Sequence, residues 1–362
     1  MNKRQIALTR LLSQHIAGTK FTTPKNLVNW MGAMQAQDYT MAKWAIGARL
    51  QNASDELVEA ALNRGEIIRT HLMRPTWHFV AAEDLNWMLE LTAPQVRALM
   101  KFRDKELELS EKIYTKSNSI IEKALRDGKH LTREQLMLLL EKSKINTGDY
   151  RSGHLMARAE LDRIVCSGAI QGNKQTYALI SERVPQSKSL SKDEALKKLA
   201  ERYFTSHCPA TLADFTWWSG LSAADGKKAF EMAKPGFITE KIGADTYLLS
   251  NSFTGTDKLK LPVHLLPAFD EYLISYKDRS PSLQVQHQSK AFSINGIFRP
   301  IIVINGQVTG LWKRTFKKDA VHIETDFFNL PSEAAKKQVE KAAKLFGRFL
   351  GKKVSVVHST IE

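Results

Sequence analysis

The feature of this sequence that most narrows its fold is a recurring order of signals: helices opened by capping residues, then a short β-prone pair, three times within the first 250 residues. In the first round Thr23 caps a helix with Pro24 at its first position, running to about Met34. A break over 35–40 precedes helical stretches at 41–50 and 55–63, and Thr, Trp, Phe and Val favour extended chain over 67–80. In the second, helices over 84–102 and 110–127 lead to a capping box, Thr132 with Gln135, whose helix reaches about Lys142. A turn at 146–149 then starts a helix over 150–167, and Gly172-Asn173 lies between two β-prone runs, which is hairpin chemistry. In the third, Ser191 and Glu194 form a capping box for a helix that buries Ala195, Leu196, Leu199, Ala200 and Tyr203. Two short helices separated at Gly220 and the strand-like TYLLS at 246–250 close it. Helices followed by a hairpin is the order of a winged helix.

After Lys258 the texture changes to Val, Ile, Leu and Phe strands broken by Asp, Gly and Pro, with Asn305-Gly306 as a type I′ hairpin signal. This predicts a β-rich domain, a small barrel. A last helix over 332–350 has Val339, Ala342, Ala343, Phe346 and Leu350 on one stripe, so it packs onto that domain. The fold class is therefore α+β: tandem winged helices over 1–82, 83–185 and 186–257, then a β-barrel-like domain over 258–362.

Lys and Arg outnumber Asp and Glu by 53 to 38, a formal charge of +15. A surplus of that size suits a surface that meets polyanions, although a diffusely basic protein gives the same total. The two cysteines, Cys166 and Cys208, are far apart and share no zinc spacing, so neither a disulfide framework nor a structural metal is expected. That points to a reducing compartment. The basic N-terminus lacks the apolar stretch of a signal peptide, and no apolar run is long enough to span a bilayer. The cytoplasm, no membrane and no cofactor are the expectations.

Four stretches together carry a resemblance: MGAMQAQDY at 31–39, RTHLMRPTWHFV at 69–80, CPATLADFTWWSGLS at 208–222, and LLPAFDEYLISYKDR at 265–279 with GLWKR at 310–314. In that order the chain resembles the AlkZ-like DNA glycosylases over nearly its full length. The resemblance implies winged helices joined to a β-barrel and curving around DNA, and excision of N7-alkylated purines or unhooking of interstrand crosslinks. It also implies a Gln-x-Gln catalytic pair, which here is Gln35 and Gln37. Asp38 adjoins them, either as a helix N-cap or as an added base. Alkylated or crosslinked duplex DNA is the expected partner and a monomer the expected state. The alternative reading is a non-enzymatic winged-helix protein, a regulator or a factor that recognises damage.

Two amides suffice if the leaving base is already a cation, because its departure needs no protonation. A side-chain amide offers one carbonyl and two N–H donors, enough to hold water below the sugar and lend a dipole to an oxocarbenium-like transition state.

For DNA contact the candidates are His71, Arg74 and His78 in a wing, and Arg151, His154 and Arg158 on a recognition helix. Lys290 lies in a polar, hairpin-like stretch over 278–299, and Lys313 and Arg314 lie beside the second hairpin strand. Buried, hydrogen-bonded histidines and rim arginines are the competing reading.

Overall fold

In the computed structural model, residues 1–250, 252 and 261–360 are described. The chain opens with α1 (Lys3–Ser13), capped reciprocally by Asn2 and Gln5. Then come α2 (Pro24–Met31), β1 (Ala33–Gln35), α3 (Tyr39–Gly47), α4 (Asp55–Asn63), β2 (Ile67–His71) and β3 (Trp77–Ala81). Thr23 caps α2 as expected. That helix stops at Gly32 rather than near Met34, and Ala33–Gln35 joins the sheet, ordered β1-β3-β2, with Gln35 opposite His78. The expected break after Met34 is thus the end of a strand.

The second set comprises α5 (Ala82–Glu106), α6 (Glu111–Leu125), β4 (Leu131–Thr132), α7 (Arg133–Lys142), α8 (Arg151–Leu161), β5 (Val165–Ser167), β6 (Thr176–Leu179) and the short α9 (Ile180–Arg183). Its sheet order is β4-β6-β5. Thr132 and Gln135 form the expected capping box. Gln171 and Lys174 exchange hydrogen bonds of 3.0 Å across Gly172-Asn173, as hairpin chemistry requires. The helix expected over 150–167 ends at Leu161, because Val165, Cys166 and Ser167 pair with β6.

The third set is α10 (Lys192–Ser206), β7 (Ala210–Thr211), α11 (Leu212–Ser219), α12 (Ala223–Ala233), β8 (Ile238–Ile242) and β9 (Asp245–Leu249), with sheet order β7-β9-β8. The remainder is β10 (His264–Leu266), α13 (Glu271–Ile274), α14 (Gln288–Ala291), β11 (Ile301–Ile304), β12 (Gln307–Phe316), β13 (Ala320–Phe327), α15 (Glu333–Phe349) and β14 (Lys353–Thr360). Asn305 and Gly306 both have positive φ, 49° and 82°, the signature of the type I′ turn.

The α+β class holds, but the expected barrel does not form. Among the described residues the five strands make an open sheet, β10-β11-β12-β13-β14, with no ladder between its edges. β14 runs parallel to β13, reached through α15. The apolar stripe of α15 covers one sheet face, so burial comes from a helix rather than from closure: Trp312 meets Phe346 at 5.2 Å.

The first helices share this core. Trp44 packs on Phe346 and Phe349 and donates Nε1–H to the Leu265 carbonyl at 2.8 Å. Arg49 grips Asp270 through two hydrogen bonds of 2.9 and 2.8 Å, both side chains buried. A fork of this kind is costly to break because either partner alone leaves an uncompensated buried charge. It ties the start of α13 to the end of α3.

Candidate active site

β1 ends at Gln35, and the chain bends at Gln37 and Asp38 before α3 begins. Ala36, between them, is buried in the core. The two amides differ in exposure: Gln35 is buried, 6% exposed, whereas Gln37 is open to solvent. The Ala36 N–H is held by the Trp77 carbonyl at 2.7 Å. Arg69 clamps the same peptide units from β2, donating to the Ala36 carbonyl at 3.0 Å and the Gln37 carbonyl at 3.4 Å while lying over the Trp77 ring at 4.2 Å.

The Gln35 amide has a fixed sense. Arg74 Nη2 lies 3.1 Å from Gln35 Oε1, and a guanidinium only donates, so the oxygen must face it and the NH2 must face away. Gln37 Oε1 accepts from the Trp77 N–H at 3.4 Å. Arg74 sits in the left-handed region at φ 56° and packs against Gly220, where an added Cβ would come 2.9 Å from Arg74 Cγ. Burial lowers the Arg74 pKa and the Glu271 carboxylate opposes that.

Beneath the pair lies a buried acid. Glu271 Oε1 accepts the Gln35 backbone N–H at 2.6 Å, Oε2 accepts from Ser275 Oγ, and His207 Nε2 is 3.7 Å away. Burial alone pushes the Glu271 carboxyl up, but contacts from His207, Ser275 and the Gln35 N–H outweigh it and bring it to about 2. The ionised form of Glu271 is thus favoured behind the Gln-x-Gln backbone, with His207 beside it. Sequence reasoning missed Glu271 and Arg69, although both lie within the quoted stretches. Their types alone said nothing of proximity to Gln35.

Asp38 is the N-cap of α3, accepting the Met41 N–H at 3.0 Å, and it pairs with Arg314 at 3.5 Å. His78 is 1% exposed and held to about 3, first by burial and then by Arg74. Its Nδ1–H donates to the Thr76 carbonyl at 3.0 Å, the neutral tautomer, and it has no surface to offer phosphate. His71 is bound through its N–H and ring to Glu160, at 2.9 and 2.5 Å.

The proposed recognition face is spent on internal pairs. Arg151 is buried and donates to the carbonyls of Asn146, at 2.9 Å, and Leu107. His154 meets Asp104 at 2.7 Å, and Arg158 binds Glu111 at 2.9 and 2.6 Å and Asp162 at 2.8 Å. α8 lies against α5 and α6, whose acids were too distant in sequence to be weighed beside these bases.

The hairpin expected over 278–299 is shorter. The chain makes a 3-10 turn at Val285–His287 and then α14, which carries half-buried Lys290, and a bridge between Phe292 and Phe298 closes a short hairpin. Their base is Phe292 stacked on Phe298 at 5.0 Å, with the Arg279 guanidinium 4.9 and 5.1 Å above the two rings. At the tip Ile294 is fully exposed and Ile297 is 56% exposed. Arg279 is lowered to about 10, by burial first and in part by Arg74, so this base lies within the field of the Gln35 clamp. Lys313 is exposed, 3.9 Å from Asp326.

Among the described residues no cluster of His, Cys, Asp and Glu could cage a metal ion, and no helix is long and apolar enough to cross a membrane. What the arrangement offers is oriented amides above a buried negative charge.

Residues 28–349 match a family model described as DNA glycosylase AlkZ-like. A curated protein of Streptomyces sahachiroi, named interstrand DNA cross-link repair glycosylase, is 23% identical over 381 aligned residues, covering 95% of this chain and 96% of the relative. The solved structure of Streptomyces sahachiroi DNA glycosylase AlkZ is similar with a TM-score of 0.82 at 20% identity, over 99% of this chain and 100% of that one. That second likeness is one of fold.

Proposed function

The chain belongs to the AlkZ-like DNA glycosylase family, and from that membership we propose that it hydrolyses the N-glycosidic bond of cationic, N7-alkylated purines in duplex DNA, with Gln35 and Gln37 as its catalytic pair. The observation that carries this reading is the fixed sense of the Gln35 amide, set by Arg74, with the exposed Gln37 amide beyond it and its Oε1 3.4 Å from the Trp77 N–H.

In this reading the C1′–N9 bond breaks and its electron pair passes to the purine, whose positive charge it neutralises. Water adds to C1′ and releases its proton to solvent, leaving an abasic sugar and a neutral alkylpurine. Gln37, the exposed amide, holds that water through its NH2 group and turns its remaining carbonyl lone pair to the oxocarbenium-like sugar. Gln35 presents N–H donors, and the charge on Glu271 favours developing positive charge above it. Asp38, engaged as a cap and by Arg314, is a support rather than a base.

The three small sheets with their helices fit tandem winged helices over 1–82, 83–185 and 186–257, with 258–362 as the C-terminal unit, the boundary at 257 lying outside the described residues. The 292–298 hairpin, with Ile294 and Ile297 at its tip, serves as a wedge against the duplex, and Lys290, Lys313 and Arg314 supply phosphate contacts. Crosslinked purines are within the proposed substrate class, in keeping with the name of the Streptomyces relative. The protein acts as a monomer in the cytoplasm.

The test is incubation with duplex carrying N7-methylguanine, followed by alkaline cleavage at abasic sites. Strand cleavage that disappears in Gln37→Ala, with duplex affinity retained, is the expected result. Failure to release any cationic purine at enzyme excess and low salt would overturn the assignment.

A further inference from the structure

The bases that sequence patterning offers for DNA on α8 are engaged by carboxylates or backbone carbonyls, which raises the question of where free positive charge lies. It gathers at the other end of the chain. Between 313 and 353 there are eleven Lys or Arg residues against five Asp or Glu. On α15, Lys337, Lys341, Lys344 and Arg348 follow one another at steps of four, three and four, so they form one row along the helix, and all four are exposed. The opposite stripe is locked in the core, with Phe346 against Trp44 and Trp312, so the helix cannot roll to hide the row.

The row continues past the helix. Lys352 Nζ donates to the Lys318 carbonyl at 2.7 Å, and the Lys353 N–H to the Asp319 carbonyl at 3.2 Å. These bonds bring the β12–β13 turn, with Lys317 and Lys318, beside the C-terminus of α15. Lys341, Lys344, Arg348, Lys352 and Lys353 line one shallow depression. Among the described residues none of these eight cations has a carboxylate within ion-pair distance, while neighbouring Glu340 faces His358 at 3.8 Å and Glu333 takes Lys336 at 2.8 Å.

Like charges held together without counter-charges repel, so the arrangement disfavours the free protein and is relieved by a polyanion. We propose that this face of α15, with the adjoining turns, is a second, sequence-independent surface for duplex DNA that grips the phosphate backbone away from the Gln-x-Gln site. From Lys337 to Arg348 the row is about 16 Å long at the helical rise. A duplex carries a negative charge about every 1.7 Å of its axis, so a row of that length meets several phosphates at once. Lysines acting as point charges suit a backbone without sequence information. An anionic membrane fits less well, because the apolar stripe that would insert is the one buried against the sheet. The surface is rigidly joined to the site: Trp44 and Gly47 of α3, which begins two residues after Gln37, pack on Phe346 and Phe349.

The experiment compares wild type with K337Q/K341Q/K344Q/R348Q by fluorescence anisotropy on a short undamaged duplex over a salt series. Expected are binding weaker by about tenfold at moderate salt and a log–log salt slope shallower by about 3, with the single-turnover excision rate from N7-methylguanine duplex unchanged at saturating enzyme. Unchanged affinity and slope would overturn the proposal. So would an equal loss when exposed Lys112, Lys123, Lys142 and Lys144 are neutralised instead, since that means net charge rather than a surface. Loss of binding to phosphatidylserine vesicles with duplex binding intact would reassign the face to a membrane. Because undamaged duplex is the probe, the result stands apart from whether Gln35 and Gln37 are catalytic.

Discussion

Arg74 and Gln35 meet at 3.1 Å through a guanidinium that can only donate and an amide oxygen that must accept. Arg74 in turn is shaped by its left-handed backbone and by the bare face of Gly220. Orientation of the active-site amide thus depends on a residue from the β2–β3 connection and another just after α11.

Arg74→Met leaves Gln35 free to rotate and flip. Excision is expected to slow by about 100-fold, the scale of losing one oriented dipole, with duplex affinity nearly unchanged. Arg74→Lys restores part of the rate, since a lysine donates to the same oxygen. Single-turnover rates alongside anisotropy separate the two effects, and a matching fall in affinity would show Arg74 to be a DNA contact instead.

Gly220→Ala places a methyl group against Arg74 Cγ on a backbone at φ 67°. Both the strained φ and the close approach act against it, for a loss of about 1–2 kcal/mol in urea unfolding and a slower excision rate. A variant with wild-type rate would mean that Arg74 shifts without consequence for Gln35.

Glu271 sets an acid-side signature. Its carboxyl falls from an ordinary 4.5 to about 2 in the folded protein. A carboxyl lowered on folding contributes stability that is full above its unfolded value and fades as pH drops towards the folded one. Unfolding curves of wild type and Glu271→Gln are therefore expected to draw together by about 3 kcal/mol between pH 5 and pH 2. A gap that stays constant over that window would show that the carboxyl is not ionised in the fold.

Arg158→Ala tests whether the internally paired face of α8 touches DNA. It removes pairs with Glu111 and Asp162, which reach the surface, so the cost is about 1 kcal/mol or less. Affinity for undamaged duplex is expected to stay within about twofold of wild type, the change of a residue that touches no phosphate. A drop of tenfold with a shallower salt slope would return Arg158 to the DNA interface.

A neutral lesion gives the last contrast. Because the proposed chemistry lends no proton to the base, duplex carrying N7-methylguanine should be processed at least about 100-fold faster than one carrying a neutral methylated base such as O6-methylguanine. Comparable rates on both would require a general acid that the two amides do not provide.

Much of the architecture was legible because its signals are local. Thr23, Thr132, Ser191 and Asn305-Gly306 act on backbone within a few residues, and each starts a helix or turns a strand where expected. The misplaced ends are those decided by pairing: Ala33–Gln35 and Val165–Ser167 became strands because β3 and β6 were there to receive them. The barrel failed for a similar reason. Strand texture announces a sheet, but whether the sheet closes depends on what covers its face, and here α15 does.

For the site, the sequence by itself determined that two glutamines flank a small residue in a break between helical stretches, with Asp38 after them and a surplus of positive charge in the chain. Only the tertiary structure decided that Arg74 turns one amide, that Glu271 is ionised behind it, that Arg158 is neutralised, and that the row on α15 is not. A residue's type fixes what it can donate or accept, but its charge state and free valence depend on which distant groups the fold brings within about 4 Å.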